Sequence, residues 1–378
     1  MGMKVLVGLS GGVDSAVAAY LLLQQGYEVE ACFMRNWDSL ANGDYLGNPT
    51  INDSQCPQEK DYDDAKKVAE KLGIKLHRAD FVKEYWDNVF SYFLKEYEQG
   101  RTPNPDVFCN KYIKFDSFRE YAKTLGIEKI AMGHYASNGI YLGHHYIYKA
   151  LDINKDQSYF LCQLNEEQVA SCIFPLAKLE KPEVRKIAKS LDLDSVMDKK
   201  DSTGVCFIGE RNFRQFLQNY LPSKEGDIVL GENNQVIGRH QGVLYYTIGQ
   251  RHGLGIGGVS GLEAGAYFVY KKDVKNNILY VAHSSEDELL YSDTVYVDGV
   301  NWIGPKPEAP IRVGVKFRYR QPDQPCLLSF EGERIKLECI NKVKSVTPGQ
   351  IAAIYEGERL LGGGIIEMTY YKGVRNDV

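Results

Sequence analysis

The sequence predicts an α/β domain built on a doubly wound parallel sheet, followed by a small mixed domain and a C-terminal β-barrel. Across residues 1–210, β-branched runs alternate with helical segments, which is typical of parallel strands covered by helices on both faces. Across residues 211–283, glycine and Asn-Asn signals separate short β-rich runs. Across residues 284–378 only strand-like runs occur, which favours a compact barrel.

The first domain begins with a β-branched run that leads directly into a glycine-containing turn and a helix. Glycine closes the helical segments that follow, as expected for a left-handed residue after a helix C-terminus. The polar stretch Asp38–Pro57, rich in Gly, Asn and Asp, is interpreted as a mobile loop. The predicted elements are strands Lys4–Gly8, Val29–Met34, Lys75–His77 and Lys129–Met132, and helices Ala16–Gln24, Asp61–Leu72 and Asp116–Leu125.

Turn signals divide the rest of the sequence into short strands. In the small domain, a turn at Asn276–Asn277 separates two of them. From about residue 211, Gly, Asn-Asn and Pro-Gly signals recur about every ten residues, as in small all-β domains. The predicted strands are Val236–Ile237, Tyr267–Tyr270 and Ile278–Ala282 in the small domain, and Thr294–Val297, Ile311–Tyr319, Leu327–Phe330, Ile335–Ile340, Ile351–Tyr355 and Gly364–Met368 in the barrel.

Composition excludes several classes of protein. With 378 residues, 44% of them hydrophobic and 25% charged, the chain has the make-up of a globular protein of two or three domains. The eight cysteines form no CxxC pair, which argues against a disulfide framework or a zinc ribbon. The longest apolar stretch, Ala16–Leu23, is too short to cross a bilayer, and no signal peptide is recognisable, so a cytoplasmic location is expected.

The turn after the first strand has the features of a phosphate-binding loop. Gly11 and Gly12 allow a tight turn whose N–H groups point inward, and the helix N-terminus that follows favours an anion. Ser10 and Ser15 can donate hydroxyl hydrogen bonds, and Asp14 can orient the loop or help to hold a metal near the phosphates. The loop contains neither GK[ST] nor GxGxxG, so it belongs to neither of those nucleotide-binding classes.

Two cysteines differ from the other six in their surroundings. Cys109 is interpreted as lying in a polar loop stiffened by two prolines, and Lys111 and Lys114 after it are expected to lower the pKa of its thiol. Asp106 reaches the same face as Cys109 if a helix begins there. Cys206 lies between glycines in an electropositive segment. Cys32, Cys162, Cys172, Cys326 and Cys339 lie beside apolar residues and are interpreted as buried, whereas Cys56 is not assigned.

Taken together, these segments resemble the bacterial tRNA-specific 2-thiouridylase family, within the N-type ATP pyrophosphatase superfamily. The resemblance extends over essentially the whole chain and implies an ATP pyrophosphatase type of parallel sheet. The matching motifs are SGGVDS at 10–15, TPNPDVFCNKYIKF at 102–115, GHY at 133–135, NKDQSYFL at 154–161, DSTGVCFIGERNF at 201–213, GQRHGLGIGG at 249–258, KFRYRQ at 316–321 and TPGQ at 347–350.

The resemblance implies a role for particular residues. Cys206 would carry a persulfide, Cys109 would be the second catalytic thiol, and Asp106 would be the acid/base catalyst. Residues that would hold ATP are Gly8, Leu9, Ser10, Gly11, Gly12, Val13, Asp14 and Ser15 at the phosphates, Met34 at the adenine and Gly133 in the same pocket. Residues that would contact tRNA are Asn104, Pro105 and Asp106 around the target base, together with His134, Lys155, Asp156, Gln157, Arg318, Tyr319 and Gln350.

The implied reaction is ATP-dependent replacement of the 2-oxygen of a wobble uridine by sulfur. The uracil 2-carbonyl is a poor electrophile, so its oxygen would be adenylated, with Mg²⁺ and loss of pyrophosphate. A cysteine persulfide would then deliver sulfur, and thiol–disulfide chemistry accounts for the second cysteine. The implied partners are the tRNAs for lysine, glutamate and glutamine and a sulfur donor, either a cysteine desulfurase or a relay carrier.

A basic strand gives an indication of RNA binding that does not depend on the resemblance. Residues 305–350 contain nine Lys/Arg against five Asp/Glu in a chain of net charge −5. The strip is interpreted as a surface that positions phosphates, or else as a solvated strand face. A tRNA contact by Tyr319 then requires a bulge or a strand end near it. Alternation places Val313, Val315, Phe317 and Tyr319 on one face and Arg312, Lys316, Arg318 and Arg320 on the other.

Three other interpretations stay open at this point. Another ATP-dependent adenylating enzyme, such as an amide-forming synthetase, would need an amine source and would not need two loop cysteines. An iron–sulfur cluster held by Asp106, Cys109 and Cys206 would suit thiolate ligands, but two cysteines without a CxxC pair make it the weaker view. An ATP-gated tRNA-binding module would bind tRNA and make no pyrophosphate.

Overall fold

The computed structural model describes residues 2–53, 55–193, 195–197, 199, 208, 211–256 and 265–376. Its first seven strands are β1 (Lys4–Gly8), β2 (Glu28–Arg35), β3 (Lys75–Asp80), β4 (Lys129–Ala131), β5 (Ser137–Tyr141), β6 (His144–Tyr148) and β7 (Cys172–Ile173). Within the described residues, five of these form a parallel sheet in the order β3–β2–β1–β4–β7. The predicted parallel sheet is thereby confirmed.

Helices cover both faces of this sheet. Successive residues of a strand point to opposite faces, so apolar side chains on each face can be buried under helices. The helices are α1 (Val13–Gln24), α2 (Pro57–Leu72), α3 (Val82–Tyr85), α4 (Ser91–Glu98), α5 (Pro105–Cys109), α6 (Phe118–Thr124), α7 (Glu166–Ser171), α8 (Lys181–Ser190) and α9 (Phe213–Gln218). Val5 and Val7 of β1 lie in an apolar core with α1, α2 and α8, whereas Leu6 lies in the opposite core with α4 and α6. The sheet is therefore doubly wound.

The helical region around Cys109 begins earlier than predicted. α5 begins at Pro105 and continues through the π-helical segment Asn110–Ser117 into α6. Proline is favoured at the first position of a helix because its φ fits and its missing N–H has no partner there. The stretch interpreted as a polar loop is therefore a helix start, and Cys109 lies within a helical turn.

The small domain is a mixed sheet with one helix before it in the described residues. Its strands are β8 (Gly226–Leu230), β9 (Gln235–His240), β10 (Phe268–Asp273) and β11 (Ile278–Ala282), in the order β10–β11–β8–β9. β11 and β8 are parallel and the other two pairs are antiparallel. The predicted turn between β10 and β11 is confirmed, since Asn277 has a φ of 55°.

The last part of the chain closes into a barrel. Its strands are β12 (Tyr291–Trp302), β13 (Ile311–Lys316), β14 (Gln324–Glu331), β15 (Arg334–Lys344), β16 (Ile351–Glu356), β17 (Arg359–Tyr371) and β18 (Val374–Arg375). Strands β12, β15, β14, β13, β16 and β17 pair in that order, and β12 also pairs with β17, so this six-stranded sheet of the described chain is closed. Closure leaves no free strand edge in the barrel itself.

One hairpin of the first domain extends the barrel sheet. β6 pairs with β17 through Tyr148 with Arg359 and Ile147 with Leu360, and β5 pairs with β6. The α/β domain and the barrel therefore share a sheet, whereas the domain boundaries proposed at 210/211 and 283/284 remain predictions. None of the helices in the described ranges has the length and apolar character needed to span a bilayer.

Candidate active site and nucleic-acid interface

The loop Ser10–Ser15 lies between β1 and α1, where the sequence predicts a phosphate site. Ser15 Oγ accepts a hydrogen bond from Ser10 N (3.1 Å) and donates one to Gly12 O (3.0 Å). Gly11 has a φ of 72°, a conformation that favours glycine. Gly12 directly precedes α1, whose first N–H groups have no partner within the helix and therefore favour an anion. Two internal hydrogen bonds therefore hold the loop in a closed turn at the N-terminus of α1.

Gly133 packs directly against this loop. A Cβ atom at position 133 would lie 2.9 Å from Ser15 N and 3.0 Å from Asp14 C. Both are backbone atoms at the start of α1, so any larger residue would displace the first turn of that helix. The structure therefore brings Gly133 to the loop, as the resemblance implied.

Met34, the predicted adenine contact, lies beside the same loop. A Cβ atom at Gly8 would lie 3.1 Å from Met34 Cε and 2.8 Å from Met132 Sδ. Both methionine side chains are buried. Gly8 is therefore required by close packing between β1 and the two methionines, and the adenine contact itself stays a prediction.

Asp14 is held by two residues whose roles the sequence did not reveal. Lys181 Nζ donates to both carboxylate oxygens of Asp14 (2.8 and 2.7 Å), and Tyr135 Oη donates to Asp14 Oδ1 (2.8 Å). Lys181 is the first residue of α8, where the helix dipole disfavours a cation. That unusual placement is the one sequence signal that could have identified it. These bonds fix Asp14 and support its predicted orienting role.

The loop residues fit a Mg²⁺ ion carried by phosphates. In such sites Mg²⁺ is usually bound by one or two carboxylates together with substrate phosphates. Asp14 offers one carboxylate, and 33% of its side chain is exposed. Among the residues that the structure describes, no group of three His, Cys, Asp or Glu side chains could form a metal cage. Phosphate oxygens and water would supply the other ligands.

Cys109 and Asp106 lie on one short helix, α5, so the condition for both to reach one face is met. Asn110 Nδ2 donates to Asp106 O (3.0 Å) and to Phe160 O (3.4 Å), which ties this helix to the 3₁₀ turn Ser158–Leu161. Cys109 is 0% exposed and belongs to the main apolar core. Its interpretation as a residue of a polar loop is therefore wrong, because the helix turns its side chain inward.

The second predicted catalytic cysteine, Cys206, lies outside the described residues, so its pairing with Cys109 stays a prediction. Cys32 and Cys162 are buried as predicted, and burial raises the pKa of both thiols to about 12. Cys56 is exposed. Raised pKa values keep these buried thiols protonated and unreactive at neutral pH. Cys172 and Cys326 are also buried as predicted, whereas Cys339 is partly exposed, so the prediction of burial is wrong for Cys339.

A turn of the barrel holds the segment that precedes Asn104. Gln350 Nε2 donates to Thr102 O (2.8 Å) and Pro103 O (3.2 Å). Thr102 N donates to Pro348 O (3.0 Å). Gln350, a predicted tRNA contact, therefore also positions the backbone that leads into α5, and the barrel is part of the candidate site.

Arg318 and Tyr319 lie beyond the end of β13, next to this turn. Arg318 Nη2 donates to Ile248 O (2.7 Å) and Thr347 Oγ1 (2.8 Å). The Tyr319 ring packs on Phe160 with centroids 4.4 Å apart. A strand end before Tyr319 was one of the two conditions for a tRNA contact, and the structure provides it. Arg318 therefore contacts the 347–350 turn, and Tyr319 contacts the 3₁₀ turn Ser158–Leu161, which is bonded to the residue that follows α5.

The predicted outer basic strip is wrong for Lys316. Lys316 is buried, and its Nζ donates to Asp156 Oδ2 (3.3 Å). Asp156 is also buried and accepts hydrogen bonds from Ala150 N (3.1 Å) and Ser158 N (3.2 Å). A buried lysine needs such a partner, because an unpaired charge is costly to desolvate. Asp156 therefore holds its loop in place, and any tRNA contact by it stays a prediction.

The nucleotide loop and the predicted tRNA-binding loop are joined through one tyrosine. Tyr135 N donates to Gln157 Oε1 (3.0 Å), and Gln157 N donates to Tyr135 O (2.7 Å). The same tyrosine donates its hydroxyl to Asp14. Lys155 O accepts a bond from Tyr319 Oη (3.5 Å). The structure thus connects the phosphate loop, the 152–157 loop and the barrel turn, which are distant in sequence.

His134, another predicted tRNA contact, is buried beside this connection. Its ring lies 5.7 Å from that of Phe115 and 6.4 Å from that of Phe174. Burial, with a smaller contribution from Lys114, lowers the pKa of His134 well below 6.5. In the described part of the chain, Nδ1 has no hydrogen-bond partner. The folded protein therefore holds a neutral imidazole here, and its contact with tRNA stays a prediction.

The buried His134 is expected to make stability depend on pH. The pKa of His134 in the folded protein lies below its value in the unfolded chain. The contribution of neutral His134 to the free energy of unfolding is therefore retained above pH 6.5 and lost as the pH falls toward the pKa of the folded state. We expect the thermal midpoint to decrease less in His134→Asn than in wild type when the pH is lowered from about 7 to about 5. His252→Asn, at an exposed position, is the control. If the thermal midpoint depends on pH in the same way in wild type and His134→Asn, this expectation is contradicted.

A buried ion pair anchors the start of the small domain. Asp44 is 0% exposed, and its Oδ2 accepts from Arg211 Nε (2.9 Å) and Nη2 (2.8 Å). Asn212 N donates to Gly47 O (2.9 Å). Part of Asp38–Pro57, interpreted as a mobile loop, is therefore packed against the segment that leads into α9. The reason is the buried charge of Asp44, which composition alone does not distinguish from a solvated loop aspartate.

Replacing Asp44 should destabilise the fold markedly. Asp44→Asn is expected to lower the free energy of unfolding by roughly 3 kcal/mol, because Arg211 stays buried without its carboxylate. Asp227→Asn removes an exposed pair with Arg239 and should cost about 1 kcal/mol or less. Urea denaturation followed by fluorescence measures both changes. Equal decreases in the free energy of unfolding would show that the buried Asp44–Arg211 pair stabilises the fold no more than the exposed pair does.

Three family models match consecutive parts of this chain. They are described as a tRNA methyl transferase HUP domain at residues 3–210, a tRNA methyl transferase PRC-barrel domain at 214–283 and an aminomethyltransferase beta-barrel domain at 292–366. The fold, the loop Ser10–Ser15 and these models define the chain as a HUP domain followed by two β-rich domains.

Curated relatives match nearly the whole chain. The tRNA-specific 2-thiouridylase MnmA of Acholeplasma laidlawii is 54% identical over 374 residues, covering 99% of this chain and 98% of that protein. The enzyme of the same name from Aeromonas salmonicida is 50% identical over 371 residues, covering 97% of each. The chain therefore belongs to the tRNA-specific 2-thiouridylase family, which confirms the resemblance. A solved 4-thiouridine synthetase–RNA complex with bound ATP covers 57% of this chain and 50% of that one, at 14% identity and a TM-score of 0.34, too low to support an inference.

Proposed function

We propose that the chain uses ATP to replace the 2-oxygen of a wobble uridine in tRNA with sulfur. The main support for the proposal is that Tyr135 hydrogen-bonds to both Asp14 and Gln157. In the barrel, Gln350 hydrogen-bonds to Thr102, in the segment that leads into α5. These contacts support a nucleotide on the phosphate loop and an RNA on the barrel turn meeting at α5. The relatives' printed name, tRNA-specific 2-thiouridylase, supports the same reaction.

The first step is adenylation of the base. The N–H groups of the loop, with Ser10 and Ser15, hold the ATP phosphates, and Lys181 keeps Asp14 oriented beside them. Mg²⁺, when bound, supplies charge neutralisation at the phosphates. The uracil 2-oxygen attacks the α-phosphate, pyrophosphate leaves, and the oxygen becomes part of an AMP leaving group. Positioning of the two reactants, rather than covalent chemistry by the protein, accounts for most of this step.

The second step is sulfur transfer from a persulfide on Cys206. In one route the Cys109 thiolate attacks the Sγ atom of Cys206 and releases the outer sulfur as sulfide. The sulfide then attacks carbon 2 of the base and displaces AMP. In the other, the terminal persulfide sulfur displaces AMP, and Cys109 then attacks the Cys206 sulfur to free 2-thiouridine. Both routes leave a Cys109–Cys206 disulfide that a reductant must reduce before the next turnover. Asp106, on the helix of Cys109, serves as the acid/base catalyst.

The target base has to leave the anticodon stack to reach this site. Cys109 is 0% exposed, so entry of the base requires the packing around α5 to open. Asn104, Pro105 and Asp106 would surround the base as it enters. His134, Lys155, Asp156, Gln157, Arg318, Tyr319 and Gln350 would line or position the RNA side of the site. The proposed substrates are the tRNAs for lysine, glutamate and glutamine, with a cysteine desulfurase or relay carrier as the sulfur donor.

A thiolation assay tests the proposal. Wild-type protein is combined with unmodified tRNA, ATP, Mg²⁺ and a persulfide source, and the nucleosides are analysed by mass spectrometry. We expect 2-thiouridine at the wobble position, dependent on ATP, and none with a tRNA that carries cytidine there. Because the family models are described as methyl transferase domains, a parallel reaction with added S-adenosylmethionine as methyl donor looks for a methylated base, which has a different mass. A methylated product, or pyrophosphate release without 2-thiouridine, would refute the sulfur assignment.

A further inference from the structure

The barrel carries a second pair of thiols, on elements different from those of the predicted catalytic cysteines. Cys326 on β14 and Cys339 on β15 lie directly opposite each other in the antiparallel register. The Cys326 thiol donates to Cys339 Sγ, with 3.3 Å between the sulfur atoms. Cys326 is 0% exposed, whereas Cys339 is partly exposed. Cys339 is therefore the more exposed residue of the pair, and Cys326 lies against it from the inside.

The strand geometry suits a bond between the two sulfur atoms. Directly opposed residues on antiparallel strands have Cβ atoms about 4.5–5.5 Å apart. A disulfide needs about 3.5–4.5 Å, so a small approach of the two strands suffices. The hydrogen bond to Cys339, together with burial, raises the pKa of Cys326. Because Cys339 is also the more exposed of the two residues, it is the sulfur that reacts first, and Cys326 attacks second.

We propose that Cys326 and Cys339 form a reversible dithiol–disulfide site that reacts with low-molecular-weight disulfides of the glutathione type. The Cys339 thiolate attacks the small disulfide, forms a mixed disulfide and releases one small thiol. Cys326 then loses its proton and attacks the Cys339 sulfur, which releases the second small thiol. The two protein thiols lose two electrons and two protons, and the small disulfide gains both.

The product would tie β14 to β15 across the hairpin. The two cysteines are 13 residues apart, so the bond would close a short loop and restrict the unfolded chain. The oxidised barrel is therefore more stable than the reduced one. The site uses neither Cys109 nor Cys206, so its chemistry is independent of the thiolation proposed above.

The test traps the thiols of the full-length protein after incubation with oxidised glutathione. N-Ethylmaleimide alkylation, proteolysis and mass spectrometry should reveal a peptide pair joined through Cys326 and Cys339, lost on treatment with dithiothreitol. The thermal midpoint should shift upward on oxidation and return on reduction. The Cys109→Ser/Cys206→Ser double variant should give the same cross-link, which separates this result from the fate of the proposed thiolation. Exposed Cys56 should carry glutathione and so verifies that the reagent was active.

Two single variants make the order of reaction visible. Cys326→Ser should accumulate glutathione on Cys339, because the resolving thiol is missing. Cys339→Ser should leave Cys326 without glutathione. The proposal is overturned if Cys326 and Cys339 are both recovered as alkylated thiols after denaturation while Cys56 is modified. It is equally overturned if Cys326→Ser leaves Cys339 unmodified.

Discussion

We expect Cys109→Ser to lower the rate of 2-thiouridine formation by at least about 10³-fold, while release of pyrophosphate continues. A serine hydroxyl can neither attack the Cys206 persulfide nor release the product from it, but it leaves the phosphate loop untouched. Separate assays of 2-thiouridine and of pyrophosphate distinguish the two steps. Cys206→Ser should behave in the same way, although its position lies outside the described structure.

The matched control is Cys162→Ser. Cys162 is 0% exposed and belongs to the same apolar core as Cys109, so both substitutions place a hydroxyl in apolar surroundings. We expect a similar decrease in thermal midpoint for the two variants, but nearly normal thiolation for Cys162→Ser. If Cys162→Ser loses activity to the same degree, the effect of Cys109→Ser is one of folding. If Cys109→Ser retains thiolation, Cys109 is not the second catalytic thiol.

Gly133→Ala is the second substitution with a large expected effect. Its Cβ would lie 2.9 Å from Ser15 N, so the first turn of α1 must move. A displacement of about 1 Å in a positioned reactant can cost roughly 10²-fold in rate. We therefore expect pyrophosphate release to fall by about 10²-fold, with a higher KM for ATP. Steady-state kinetics over a range of ATP concentrations measures both.

The control for this variant is Gly139→Ala. Its Cβ would meet only the ring of Tyr148, at 3.3 Å, and a side chain can move where backbone cannot. We expect ATP kinetics close to wild type from Gly139→Ala. Unchanged kinetics in Gly133→Ala would show that this glycine does not position the phosphate loop.

Several features of the site could be predicted because their signals are local. Glycines and hydroxyl residues between a strand and a helix define the phosphate loop of Ser10–Ser15. The proline at position 105 marks a helix start, although the stretch was interpreted as a loop because prolines and polar residues suit both. The burial of Cys109 could not be inferred, since it depends on which way that helix faces.

The sequence by itself determined the order of α/β, mixed and barrel domains, the phosphate loop and the family, because strand and helix patterns and motifs are local properties of the chain. Only the tertiary structure decided which distant residues meet. Lys181 binds Asp14 across 167 residues, and Gln350 holds Thr102 across 248. Lys316 is buried because Asp156 neutralises it, and Cys326 faces Cys339 because of the strand register. Such contacts depend on how folded elements pack, and no local pattern encodes a partner that far along the chain.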